Sequence, residues 1–94
     1  MPGGETLTRF GTSKESAARL GRKAAEAERI IGIHGVSVTA GNSSGSSASR
    51  ERIEEHFRVH DTPTRADPLH RTVELPKPVT PAVATLFNDL FGRS

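Results

Sequence analysis

Apolar and polar residues alternate or recur in seven stretches of this chain, and each stretch predicts an element. Thr6–Phe10 (TLTRF) alternates, with Leu7 and Arg9 turned one way and Thr6, Thr8 and Phe10 the other, as in a short edge strand. After Gly11, Thr12 and Glu15 have capping-box spacing, and Ala17, Leu20, Ala24, Ala27 and Ile31 recur at steps of three and four. This predicts a helix over Ser13–Ile31, closed by Gly32 as a left-handed cap. Ile33–Ala40 is β-branched and bounded by glycine, a central strand with His34, Val36 and Val38 on one face and Ile33, Gly35, Ser37 and Thr39 on the other.

GNSSGSSAS (Gly41–Ser49) reads as a flexible Gly/Ser linker. Ser49 then caps a short helix, Arg50–Phe57, whose apolar contacts are Ile53 and Phe57. Phe57–His60 and His70–Leu75 follow as a hairpin, joined by a loop with two X-Pro breaks. In its second strand Arg71, Val73 and Leu75 face one way; His70, Thr72 and Glu74 face the other. Pro76 and Pro78 stop the ladder, since neither can donate to it. Thr80 and Pro81 open a last helix with an apolar stripe of Val83, Leu86, Phe87, Leu90 and Phe91, and Gly92 closes it. The order β, α, β, α, β, β, α predicts one α+β domain over residues 1–94. It would have a three- or four-stranded, mostly antiparallel sheet, with the long N-terminal helix and the C-terminal helix packed on one side.

Composition narrows the chemistry. Hydrophobic residues are 33% of 94, with no Trp or Tyr and four Phe, so the core is small and aliphatic. The absence of cysteine excludes disulfides, thiolate metal sites and cysteine nucleophiles. Net charge is +2, a mild bias that permits RNA as a partner without requiring it. No apolar run approaches the roughly 20 residues of a membrane span, and MPGGETLTRF lacks the layout of a secretory signal. We therefore expect no membrane partner, and a cytoplasmic location or export by a route without such a signal. No nucleotide-binding glycine motif or hydrolase elbow occurs, and no cofactor is expected.

The candidate chemistry centres on His56–Thr80. His70, Thr72 and Glu74 share a strand face, about 7 Å between successive members, and could run acid–base chemistry on a phosphodiester. Arg71, Arg65, Arg58 or Lys77 would stabilise the developing phosphate charge. Any half-buried strand alternates polar residues in the same way, so the pattern alone does not demand catalysis. His34, beside Gly35, is either a member of this site from the neighbouring strand or a core-edge histidine bonded to a carbonyl. His56 and His60 have the i, i+4 spacing of helical metal ligands, with His70 as a third, but no second ligand pair accompanies them, and no metal is expected. Arg19, Arg22, Lys23 and Arg29 form a basic helix face interleaved with Glu15, Glu26 and Glu28, as on an ordinary solvated surface.

The succession TLTRFGTS, an Ala/Glu/Arg helix, IGIHGVSVT and HRTVELPKPVT resembles the small toxin domains at the C-termini of bacterial polymorphic secreted toxins. Likeness to the barnase-like ribonucleases among them implies catalytic roles for His70, Glu74, His34 and Arg71; Arg65, Thr72 and Lys77, from the hairpin chemistry above, are expected to bind substrate. Likeness to the ADP-ribosyltransferases among them implies instead Arg9, Ser37 and Glu74, in a chain short for that fold. The expected function is a metal-independent ribonuclease of toxin type, with a protein partner or inhibitor possible. The alternatives are the ribosyltransferase, or a non-catalytic binding or structural subunit of a phage or secretion assembly.

Overall fold

A computed structural model describes residues 5–9, 14–41 and 46–92. The elements are β1 (Thr6–Arg9), α1 (Ala17–Ile31), β2 (Gly35–Ala40), β3 (Ser46–Ser49), α2 (Arg50–Glu54), β4 (Val59–Asp61), β5 (His70–Glu74) and α3 (Pro81–Gly92). The fold is α+β, with five strands in the order β3-β1-β2-β5-β4 and every neighbouring pair antiparallel.

The fifth strand comes from the stretch expected to be linker. Ser46–Ser49 pairs with the free edge of β1, Leu7 opposite Ala48 and Thr8 opposite Ser47. A ladder needs backbone groups rather than apolar side chains, so serine serves here. Two helices are shorter than their sequence patterns. α1 begins at Ala17 because Ser16, in extended conformation, accepts from the Arg19 amide; Thr12 and Ser13 lie outside the described residues. Gly32 closes it with φ 76°. α2 ends at Glu54, so of His56 and His60 the first lies in the turn and the second on β4. α3 is capped as its sequence predicts, with the Val83 amide donating to the Thr80 hydroxyl at 3.2 Å.

One sheet face is apolar. Leu7, Val36, Val38, Ala40, Val59 and Val73 join Leu20, Ala24, Ile53, Phe57, Phe87, Leu90 and Phe91 in a single buried cluster, so all three helices cover this face. Leu75, also in that cluster, continues the β2–β5 ladder by donating to the His34 carbonyl at 2.8 Å. At its margin Glu5 and Asp61 bind both Arg50 and Arg71, and Arg50 also binds Glu54. The opposite face, by register and alternation, carries Thr6, Thr8, Ser37, Thr39, Ser47, Ser49, His60, His70, Thr72 and Glu74. No described helix packs on it.

Gly35 sits where the two central strands come closest. A Cβ built there would lie 2.2 Å from the Val73 carbonyl oxygen and 2.9 Å from Glu74 Cα. Only glycine permits this approach.

Candidate active site

Three adjacent strands, β1, β2 and β5, carry Arg9, Ser37 and Glu74 respectively. Arg9 ends β1, is buried on the helix side, and donates from Nη1 to the Ser37 carbonyl oxygen at 2.9 Å. Its other terminal nitrogen binds Glu15, and its guanidinium lies 5.6 Å from the centre of the Phe87 ring. Burial, and then the charge of Arg19, hold Arg9 below the usual guanidinium range. Lys23 donates to the same Glu15 carboxylate at 3.0 Å and is likewise pushed down, first by burial and then by Arg9 and Arg19. Three cations thus share one carboxylate, which leaves positive charge in excess. Asn88 fixes that carboxylate's residue in place, accepting from the Glu15 amide and donating to its carbonyl.

Among the described residues β1 extends to Arg9, while β2 reaches back to Gly35. Among the described residues, Gly35–Ser37 are therefore paired only on their β5 side. The bonds from Leu75 to His34 and from Ala40 to Leu69 set the ladder phase, so the amide groups of Gly35 and Ser37 point away from β5. A cavity of about 340 Å³ lies along this edge, between it and α1, with Arg9, Lys23, Glu26, Ile30, Gly35 and Ser37 in its wall. Gly35 is also the cross-strand partner of Glu74, whose side chain stands on the opposite, open face of the sheet.

On the open face, away from α1, β4 and β5 form a polar ladder. His60 stands opposite Thr72, and extending the register sets Arg58 opposite Glu74 and Thr62 opposite His70. Glu74 Oε1 accepts from His60 Nε2 at 2.7 Å, and the Glu74 side chain is 47% exposed, open to solvent. His70 Nδ1 lies 3.0 Å from the Thr62 carbonyl and 2.8 Å from its hydroxyl, which in turn meets Thr72 Oγ1 at 2.9 Å. A carbonyl only accepts, so His70 Nδ1 carries a proton and, in the neutral ring, Nε2 presents its lone pair.

The residues singled out for ribonuclease chemistry are spread over both faces. His70 and Glu74 share the open face, but they stand four residue steps apart along β5, roughly 13 Å. Thr72 lies between them and is buried. Arg71 is on the helix side, bound to Glu5 and Asp61. His34 has Nδ1 3.0 Å from the Leu75 carbonyl, the core-edge arrangement. Lys77 pairs with Glu28. Arg65 is exposed on the β4–β5 loop.

His60 is what sequence reasoning missed as a partner for Glu74. Their meeting depends on hairpin register, which the X-Pro loop conceals. Among the described residues, no group of three His, Asp or Glu side chains is placed to hold a metal ion. No described helix is long and apolar enough to cross a membrane. No family model, no curated protein and no solved structure matches this chain.

Proposed function

We propose that the chain is an ADP-ribosyltransferase-like enzyme of toxin type that cleaves NAD at its nicotinamide–ribose bond. The observation that carries this reading is that Arg9, Ser37 and Glu74 stand on three successive strands, Arg9 on the helix side donating to the Ser37 backbone carbonyl beside a cavity that reaches Gly35, and Ser37 and Glu74 on the open face. Cleavage breaks the bond between the ribose anomeric carbon and the ring nitrogen. The electron pair goes to that nitrogen and neutralises its charge, while positive charge develops on the ribose. A carboxylate facing the anomeric carbon stabilises that oxocarbenium-like transition state. Glu74, exposed beside a side-chain-free position, suits this task. The acceptor, water or a nucleophilic group, adds at the anomeric carbon and loses a proton. The Gly35 and Ser37 amides turn away from β5 and, among the described residues, have no strand partner, and the positive excess around Glu15 favours the dinucleotide's phosphates. Arg9 itself is held by Glu15 and Ser37, so its role is to fix the Ser37 segment of β2.

A second reading, metal-independent ribonuclease, is favoured by the β4–β5 ladder. His70 Nε2 would take the proton of a 2′-hydroxyl, and His60, held by Glu74, would protonate the leaving oxygen.

One experiment separates them. Purified protein is incubated with NAD, and with RNA in EDTA. Nicotinamide release that falls about 100-fold or more in a folded Glu74→Gln variant, with RNA intact, supports the first reading. RNA cleavage lost in His70→Ala supports the second. Both substrates intact would leave a non-catalytic binding subunit.

A further inference from the structure

Resting on the NAD-cleaving reading, we infer that His60 is a positioning residue that holds the Glu74 carboxylate in its reactive orientation. Glu74 side-chain freedom is large on three sides. Gly35 across the β2 ladder offers no side chain, the carboxylate is exposed, and His60 is its sole hydrogen-bond partner among the described residues. The His60 ring sits diagonally across the β4–β5 ladder and binds Oε1 only, which leaves Oε2 for a ribose hydroxyl. Arg58, opposite Glu74, makes no ion pair with it and remains available to substrate phosphate.

Thr72, the cross-strand partner of His60, is tied to Thr62 and through it to His70, so the second imidazole of this face is engaged away from Glu74. A carboxylate displaced by about 1 Å from the anomeric carbon can lose on the order of 100-fold in rate.

The test compares wild type, His60→Ala and His60→Gln, the last of which keeps an N–H donor near the position of Nε2. The expected result is a kcat for NAD cleavage at least ~10-fold lower in His60→Ala, with KM for NAD unchanged and kcat largely restored in His60→Gln. Equal kcat in His60→Ala overturns the inference. So does a fall in kcat that tracks a lower melting temperature and is not rescued by glutamine. A second measurement does not need turnover: the nitrogen NMR signals of the His60 ring must change in Glu74→Gln. If they do not, the pair does not exist and the inference falls. If they do while wild type leaves NAD intact, the pair stands, but the NAD-cleaving reading, and with it this role for the pair, is overturned.

Discussion

Gly35→Ala and Gly21→Ala are the same substitution with opposite expected signs. At Gly35 the added methyl would lie 2.2 Å from the Val73 carbonyl oxygen and 2.8 Å from its carbon. These are backbone atoms of the central strand pair, so no rotamer can relieve the clash. Ordinary contact needs about 1 Å more, which β2 and β5 can supply only by parting. Two ladder bonds at about 1 kcal/mol each are then weakened, and core packing between Val36 and Val73 is loosened. The expected cost is about 3 kcal/mol, equivalent to a fall in melting temperature of roughly 12–24 °C for a domain of this size. At Gly21, in the middle of α1, the nearest atom to the added Cβ is Val79 Cβ at 3.8 Å, an ordinary contact. There alanine removes the helix penalty of glycine and should stabilise by about 0.5–1 kcal/mol. Urea unfolding followed by far-ultraviolet circular dichroism measures both. A Gly35→Ala variant within about 0.5 kcal/mol of wild type would refute the close approach of these strands.

Three further outcomes follow from the ion pairs. Glu15→Gln leaves Arg9 buried without its counter-charge and should destabilise by about 3–5 kcal/mol, read by the same unfolding assay. Burial pushes the Glu5 carboxyl up, but hydrogen bonds from Arg50 and Arg71, with their charges, outweigh it and hold Glu5 below its ordinary value of 4.5. The hydrogen bond and charge of Arg50 hold Asp61 below 3.8. Depressed carboxylates stabilise above the unfolded value and lose that contribution as pH falls through the folded one. The melting temperature should therefore drop progressively below about pH 4.5, and Arg50→Ala should flatten that dependence. A melting temperature equally steep in acid in Arg50→Ala would show that other carboxylates govern acid unfolding.

Much of the fold is legible in the residues because periodicity records which side of an element is buried. The α1 and α3 stripes place Leu20, Ala24, Phe87, Leu90 and Phe91 in the core. Alternation in His70–Leu75 already separates His70, Thr72 and Glu74 from Arg71, Val73 and Leu75, and it puts His34 with Val36 and Val38. β3 is not legible, because Ser46–Ser49 is recruited by backbone groups of β1 and carries little burial signal of its own. The α1 start shifts because Ser16 can cap as well as Thr12 in the sequence. The site is less legible than the fold. Which strands stand side by side decides that Arg9 meets Ser37 and that His60 meets Glu74, and strand order is a property of the whole chain.

The sharpest test is a titration of nitrogen-15-labelled protein with NAD, followed by amide NMR. Binding along Gly35–Ser37 of β2 predicts shifts concentrated at Gly35, Val36, Ser37 and their neighbour Glu74, with Ser47–Ser49 and the outer face of α1 unmoved. A spectrum unchanged at millimolar NAD, or shifts scattered away from that edge, would contradict it.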